Sequence, residues 1–196
     1  MIIILNKDNK LAFSGNFTFE KSDTQKLTHL SSATIESLLQ LFVQSNLKNT
    51  NILTQLLKDS LSLQIIAYQC LSEAIPKLTI SGFGREHTIE NELIRYEGFF
   101  KKGKYHGQYS KFYWESGNIE YVGGMYNSQQ SGIGKEYHEN GQLCFYGNFY
   151  KGKPHGKHCK LFTDTGVLFY EGSLNKGIKE GYGSQYHHNG KLQYIG

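Results

Sequence analysis

Apolar and polar residues alternate with a period of two over much of the second half of the chain. Four segments place an apolar residue or a glycine at every second position: 94–100, 119–125, 143–149 and 168–174. Successive side chains of a strand point to opposite faces, so this period predicts half-buried antiparallel β-strands. Turn-forming residues followed by glycine separate the segments, which predicts that hairpins join neighbouring strands.

These segments belong to a repeat of 24 to 25 residues. In each copy an aromatic residue precedes a glycine by two positions, and the aromatic residues are spaced by 25, 24, 25 and 24. A glycine on the apolar face leaves a gap, and we expect the neighbouring ring to cover it. The alternating length predicts a one-residue β-bulge in every second repeat. The repeat anchors are Tyr96, Gly98, Tyr121, Gly123, Phe145, Gly147, Tyr170, Gly172, Tyr194 and Gly196.

A further copy of the repeat is split by an insertion. Residues 9–17 match residues 141–149 almost position for position, and residues 80–84 resemble the segment that begins at Gly132. The first repeat is therefore predicted to begin near residue 10 and to resume near residue 80. The predicted divisions of the chain are the first half of repeat one at 1–20, an insertion at 21–77, and the remaining repeats at 78–196.

The insertion has a helical pattern. Between residues 31 and 75 there is no glycine, and apolar residues fall at spacings of three and four. This spacing predicts two helices joined near residues 45–50, with Pro76 as the stop. The first run contains Ile35, Leu38, Leu39 and Phe42; the second contains Ile52, Leu53, Leu56 and Leu57 and continues through Leu61, Leu63, Ile65, Ile66, Tyr68 and Leu71.

The repeat carries motif elements of a known family. These elements are Tyr96-Glu97-Gly98, Lys104-Tyr105-His106-Gly107, Lys153-Pro154-His155-Gly156, Gly132-Ile133-Gly134 and Gly181-Tyr182-Gly183. In these residues, which recur over more than half of the chain, the sequence resembles the MORN repeat family, with a longer repeat and with Tyr109 and His158 in place of one glycine. The resemblance implies a mainly β fold, an elongated antiparallel sheet of about five to six stacked hairpins. The first hairpin is interrupted by the two-helix insertion.

Lysines are concentrated in one part of the repeat. The net charge is +4, and residues 96–196 hold 12 lysines and 8 acidic residues, a balance too weak to indicate nucleic-acid binding. Lysines surround the loop glycines, so stacked hairpins are predicted to line them along one edge as a basic ridge for an anionic surface. Against this, lysine also protects sheet edges from aggregation, and residues 127–130 interrupt the ridge. The candidate ridge is Lys101, Lys102, Lys104, Lys151, Lys153, Lys176 and Lys179.

No arrangement of residues in the sequence indicates catalysis. Histidines fall at equivalent repeat positions, such as His106 and His155, and none shares a zinc-ligand frame with a cysteine, so we expect no metal. The Gly-x-Gly elements do not open helices, which argues against a phosphate loop. No repeat combines a nucleophile, a histidine and a carboxylate, and Cys144 is predicted to be a surface thiol. We therefore expect no enzyme activity, no cofactor and no small-molecule substrate.

The resemblance implies a non-catalytic scaffold or adaptor subunit that binds protein partners in a larger assembly through the sheet and the helical insertion. MORN arrays are similar to parts of ciliary and other cytoskeletal assemblies, which implies the cytoplasm and a cilium, axoneme or other cytoskeletal structure. Three cysteines without paired spacing agree with a reducing compartment. Two alternatives stay open: a peripheral membrane module that binds anionic phospholipid through the lysine ridge, and a weaker one, an antitoxin-like protein that binds a toxin.

Overall fold

The computed structural model describes residues 2–5, 11–18, 27–29, 66–70, 80–88 and 90–196. Over these residues the chain is mainly β, with 15 strands in one sheet and no helix. The strands are β1 (Ile2–Leu5), β2 (Leu11–Thr18), β3 (Leu27–His29), β4 (Ile66–Cys70), β5 (Ser81–His87), β6 (Ile94–Lys101), β7 (Lys104–Tyr113), β8 (Ile119–Tyr126), β9 (Gln129–Tyr137), β10 (Leu143–Tyr150), β11 (Lys153–Pro154), β12 (Gly156–Phe162), β13 (Leu168–Asn175), β14 (Ile178–Tyr186) and β15 (Leu192–Ile195).

The sheet from β5 to β15 is a meander of consecutive antiparallel strands. The short β11 pairs with β10 beside β12, which pairs with the rest of β10. Beyond β5 the sheet continues in the order β2, β1, β4 and β3. The β1–β4 pair is parallel, and every other pair among the described strands is antiparallel. The predicted mainly β, antiparallel character of the chain is therefore confirmed for the residues that the structure describes.

A row of facing glycines crosses the sheet. Gly15 of β2 lies opposite Gly84 of β5, although the two strands are far apart in sequence. Gly84 in turn lies opposite Gly98 of β6, and Gly123 lies opposite Gly134 in the same way further along the sheet. The strand before the insertion and the strand after it therefore share the register of the hairpins that follow.

The prediction that the second helix extends through residues 66–70 is wrong. Ile66–Cys70 form β4, which pairs with β1 and with β3, and Leu27–His29, inside the predicted helical insertion, form β3. A short apolar run does not distinguish a helix from a strand by its period alone, and neighbouring strands supply the backbone hydrogen bonds that a strand needs. The remaining residues of the two predicted helices lie outside the described residues.

The anchor ring of each repeat covers the glycine two positions later, as predicted. A methyl group built on Gly123 would lie 2.4 Å from the hydroxyl oxygen of Tyr121, and one built on the facing Gly134 would lie 2.7 Å from the same atom. The Tyr121 hydroxyl donates to the carbonyl of Gly124 at 2.8 Å. This bond holds the buried ring across both glycines, so these positions require the absence of a side chain.

The alternating repeat length comes from a β-bulge, which confirms the second prediction from the period. Between Gly107 and Ser110, β7 has one residue more than the facing part of β8. The same excess occurs 49 residues later, between Gly156 and Cys159 of β12, whereas β9 and β10 stay in register through Gly134. The structural unit of the sheet is therefore a pair of hairpins.

The bulge changes the residue against which an anchor ring packs. In the bulged hairpins Ser110 and Cys159 occupy the place that glycine takes in the others. The Tyr96 hydroxyl lies 3.0 Å from Ser110 Oγ, whereas Cys159 meets Phe145, which has no hydroxyl, over Gly147. The tyrosine hydroxyl is thus placed beside a serine hydroxyl, and the phenylalanine ring beside a cysteine thiol. This is expected because buried polar groups need hydrogen-bond partners.

The buried side chains lie on one face of the sheet, which we call the aromatic face; the opposite one is the outer face. The Phe149 ring packs edge-on against Tyr121, with centroids 5.4 Å apart, and against Phe145, with centroids 4.9 Å apart. Aromatic pairs in this geometry add stability beyond the area that they bury. Among the residues whose burial is described, the buried hydrophobic ones are Ile80, Tyr96, Phe100, Tyr121, Met125, Phe145, Phe149, Cys159, Tyr170 and Leu174.

Glu136 places a carboxyl group on the aromatic face, between two anchor rings. Burial raises the pKa of this carboxyl group, and a hydrogen bond from Gln130 Nε2 at 2.8 Å acts in the opposite direction. The pKa of Glu120 is also raised, first by burial and then by the charge of Glu136. Cys144 is half-buried rather than a surface thiol, and burial followed by the charge of Glu136 raises its pKa.

We expect Glu136→Gln to increase the free energy of unfolding at neutral pH. A carboxyl group whose folded-state pKa lies above its unfolded value stabilises the fold below the unfolded pKa, and this contribution is lost as the pH rises through the folded pKa. Gln185, 49 residues later, shows that an amide fits this position. Urea unfolding measured from about pH 4 to about pH 8 should show the wild type losing stability relative to the variant. An unchanged pH dependence, or an equal gain from Glu139→Gln in an exposed turn, would contradict the assignment.

Candidate binding surface

One edge of the sheet carries the loops of hairpins β6–β7, β8–β9, β10–β12 and β13–β14. The two central residues of each loop have positive φ, for example 51° at Lys102 and 71° at Gly103, as type I′ hairpin connections require. The second central residue donates its N–H to a carbonyl of the preceding hairpin or segment, so the loops form one continuous edge. The bonds are Gly103 to Ile80 (2.8 Å), Ser128 to Tyr105 (2.9 Å), Gly152 to Gln130 (3.0 Å) and Gly177 to Pro154 (2.7 Å).

The structure places six of the seven candidate ridge lysines on or beside these loops. Lys179 lies elsewhere, because its Nζ is 4.6 Å from the centroid of the Tyr170 ring and 3.2 Å from Gln185 Oε1. It therefore lies over the aromatic face and does not extend the ridge. The six exposed ridge lysines are Lys101, Lys102, Lys104, Lys151, Lys153 and Lys176.

The loop between β8 and β9 divides the ridge. Asn127 and Ser128 occupy its central positions, with φ of 49° and 63°. Ser128 Oγ accepts a hydrogen bond from the N–H of Tyr105 at 3.1 Å, which ties this loop to the preceding hairpin although glycine is absent from it. One group of lysines therefore lies on the first loop and another on the third and fourth.

Charge is distributed unevenly across the width of the sheet. We call residues 98–110, 123–134, 147–159 and 172–183 the loop side, and residues 111–122, 135–146, 160–171 and 184–196 the turn side. The loop side contains eight lysines and one glutamate, whereas the turn side contains four lysines and six acidic residues. A potential of one sign at the loop edge attracts an anionic partner and raises its rate of association.

Large apolar side chains are exposed on the outer face of the loop side, and the sequence patterns did not predict them. Tyr109 is 83% exposed, Ile133 69% and Tyr126 60%. Together they line a hollow of about 490 Å³, which we call the outer hollow. The signal in the sequence was Tyr109 itself, which follows Gly107 at the spacing where other repeats have glycine, and which lies within the β7 bulge.

The floor of the outer hollow is bare backbone. Gly107, Gly124 and Gly132 line it, and a methyl group on Gly124 would lie 2.2 Å from the carbonyl oxygen of Ser131. This contact leaves no room for another residue at position 124. The hollow is therefore kept open by the close approach of two strands.

Histidines at equivalent positions each pack against a tyrosine, but His106 uses a tyrosine of the following strand and His155 one of the preceding strand. The His106 ring packs on Tyr126 and the His155 ring on Tyr150, with centroids 5.2 Å and 5.7 Å apart. The Nδ1 atoms of both histidines are buried and find no hydrogen-bond partner among the described residues. Within the same part of the chain, no group of three His, Cys, Asp or Glu residues is placed to hold a metal ion.

The repeat anchors do not contribute to the loop-side surface. Those up to β13 are buried, whereas Tyr194 and Gly196, on and after the last strand, are exposed. The anchors therefore hold the sheet together, and the exposed loops and outer face are left for binding. The buried anchors are Tyr96, Gly98, Tyr121, Gly123, Phe145, Gly147, Tyr170 and Gly172.

Comparison with known proteins adds no functional assignment. The chain matches no protein-family model, and no curated protein is significantly similar to it. Over the residues that the structure describes, no helix has the length and hydrophobicity of a membrane span.

Proposed function

We propose that this protein is a non-catalytic scaffold or adaptor subunit, whose MORN-type sheet binds other proteins along its loop side. The observation that carries the proposal is the exposure of Tyr109, Tyr126 and Ile133 in a region with eight lysines and one glutamate. Exposed apolar clusters with a polar rim are typical of protein-protein interaction sites, and tyrosine is enriched in them. The proposal includes no cofactor, nucleic acid or small-molecule substrate.

The loop side suits a scaffold because backbone hydrogen bonds define its shape. Each hairpin loop is bonded to the segment before it, so the surface exists before a partner arrives. A preorganised surface loses little conformational entropy on binding. With strands about 4.8 Å apart, the sheet from β5 to β15 offers a platform on the order of 45 Å across its strands.

The resemblance to MORN arrays supports a cytoplasmic assembly as the setting, at a cilium, axoneme or other cytoskeletal structure. In that setting the platform would hold two or more components at a defined separation. The helices predicted for the insertion would add a second contact, but they lie outside the described residues. The proposal therefore depends on the loop side alone.

Affinity purification of the tagged protein from cells, with quantitative mass spectrometry, tests the proposal. The change Lys104→Ser with Lys153→Ser removes two loop-side charges, and Lys135→Ser with Lys191→Ser removes two turn-side charges. We expect a reproducible set of co-purifying proteins whose recovery falls about tenfold with the loop-side pair and is unchanged with the turn-side pair. Finding no reproducible set, or equal losses from both pairs, would contradict the proposal.

A peripheral membrane module is the second candidate, because the same lysines would attract anionic lipid. Each lysine near such a surface contributes about 1 kcal/mol. Sedimentation at low salt with phosphatidylserine vesicles, and with phosphatidylcholine vesicles as the control, separates the two functions. Binding to the anionic vesicles that the loop-side pair abolishes would favour the membrane module. The outer hollow favours the protein partner, since a recess with a glycine floor fits a single side chain better than the flat surface of a bilayer. A toxin as the single captured protein would favour the antitoxin-like alternative.

A further inference from the structure

The outer hollow has the dimensions of a side-chain pocket. Its volume of about 490 Å³ falls within the range of pockets that enclose small ligands, roughly 300–1,000 Å³. Tyrosine and isoleucine side chains stand beside a floor of glycine backbone, so a flat or branched apolar group can approach closely, and His106, Gln108 and Ser131 add polar groups to the lining. Building on the proposed function, we infer that the outer hollow receives an aromatic or large aliphatic side chain from an extended acidic segment of a partner protein.

The hollow is not repeated in the next pair of hairpins, although the repeat is otherwise maintained. Serine at the floor position of the next pair adds a side chain, and asparagine replaces the tyrosine of the wall. The shape of the outer hollow therefore does not follow from the repeat pattern alone. The residues 49 positions after Tyr109, Gly124 and Tyr126 are His158, Ser173 and Asn175.

Lysines flank the hollow on the same face of the sheet. The last residue of the first strand in each hairpin follows a buried residue of the aromatic face. It pairs with the first residue of the next strand, directly beside the loop. Side chains alternate between faces along a strand, so both members of each pair project from the outer face. The pairs are Lys101 with Lys104, Tyr126 with Gln129, and Tyr150 with Lys153.

The spacing of these pairs defines the length of the bound segment. Four strand spacings separate the two lysine-bearing loops, which corresponds to roughly 19 Å. An extended chain rises about 3.3 Å per residue, so about six residues span this distance. The centre of the bound segment would therefore be apolar and would lie beside the uncharged loop. Acidic residues about three positions to either side of the centre would lie opposite the lysines.

Single-stranded nucleic acid is the competing ligand, because aromatic side chains and lysines also bind bases and phosphates. It fits this surface less well. Each nucleotide carries a phosphate, whereas the loop beside the hollow has no cation, and the loop side contains no arginine to stack on a base. A segment with charge at both ends and an apolar centre matches the surface better.

Fluorescence anisotropy with a labelled synthetic peptide tests the inference. The probe is a peptide of about 11 residues with a central tryptophan and paired glutamates about three residues to either side, and glycine and serine elsewhere. We expect the protein to bind it at least about tenfold more tightly than a peptide with a central alanine or one with lysines in place of the glutamates. Equal affinity for all three peptides would overturn the inference, as would tighter binding of an oligouridine of similar length.

Matched variants locate the site. Tyr109→Ser should weaken peptide binding about tenfold, whereas Tyr182→Ser should leave it unchanged, since both tyrosines are 83% exposed but Tyr182 does not line the hollow. The change Lys101→Ser with Lys153→Ser should weaken binding and reduce its salt dependence, and Lys135→Ser with Lys191→Ser should do neither. Equal effects of Tyr109→Ser and Tyr182→Ser would place the peptide elsewhere. Thermal melts of all variants check that each is folded.

The two proposals fail in distinguishable ways. If partners are captured through the loop-side lysines but the peptide binds no better than its controls, the acidic-segment inference is wrong and the scaffold function stands. If no partner set is captured, the scaffold function is wrong. If partners are captured and Tyr109→Ser does not reduce their recovery, the hollow is not the recognition site.

Discussion

Gly123→Ala is expected to lower the free energy of unfolding by roughly 3 kcal/mol, which corresponds to a fall in Tm of roughly 6–12 °C for a chain of this size. The added methyl group would lie 2.4 Å from the hydroxyl oxygen of Tyr121 and 2.7 Å from Cα of Gly134 on the facing strand. The ring cannot move aside without losing its hydrogen bond to Gly124. Urea unfolding followed by circular dichroism measures the loss.

Gly141→Ala is the matched control for this change. Gly141 lies in an exposed turn with φ of 84°, and a methyl group there would meet no atom within 4 Å. Its cost comes from the backbone conformation alone and should be about 1 kcal/mol. If the two variants lose equal stability, the cost at Gly123 does not come from filling the space under the ring.

Phe149→Ala is expected to cost about 3–5 kcal/mol of stability. Phe149 is buried on β10, and its ring packs edge-on against both Tyr121 and Phe145. Removing it leaves a cavity between the anchor rings of two repeats, which the backbone hydrogen bonds of the sheet prevent from closing. Chemical denaturation of the variant and the wild type measures the difference.

The neighbouring residue supplies the control for Phe149. Tyr150 follows it on β10 but lies on the outer face, where about half of its surface is exposed. Tyr150→Ala should therefore change the free energy of unfolding by roughly 0.5 kcal/mol. A loss at Tyr150 as large as that at Phe149 would show that the aromatic face is not the main source of stability.

Large losses from both changes would show that stability comes from the aromatic face of the repeat. Gly123 and Phe149 act on the aromatic face, whereas the ridge lysines and Tyr109 lie in the exposed loops or on the outer face. Tyr109→Ser is accordingly expected to affect peptide binding without a comparable loss of stability, because the side chain is exposed. This separation allows the scaffold function to be tested in folded variants.

Local periodicity was sufficient to predict strands β6, β8, β10 and β13, the anchor pairs and the bulge. The relation of Tyr121 to Gly123 depends on two residues of one strand, and the extra residue in β7 is visible as a change in spacing. Such features are set by short stretches of chain, so the sequence contains all the information that they need. The same period identified the buried anchors on β6, β8, β10 and β13.

Features that depend on neighbours distant in sequence were not predictable in this way. Ile66–Cys70 form a strand because β1 and β3 lie beside them, and the run alone also fits a helix. Lys179 belongs by spacing to the loops, yet it lies over Tyr170. Cys144 directly precedes an anchor ring by sequence, but it is half-buried and its pKa responds to Glu136.

The outer hollow also combines features that the sequence shows with features that only the structure shows. Its glycines and its tyrosine were each visible in the sequence, but as separate departures from a repeat. Three consecutive strands bring Tyr109, Tyr126 and Ile133 together, and the approach of Ser131 to Gly124 keeps the space open. The sequence by itself determined the strands of the repeats that follow the tight turns, together with their inward residues, because a period of two is a property of the backbone. Only the tertiary structure decided which outward residues became neighbours, because that depends on the pairing register and on the bulge between strands.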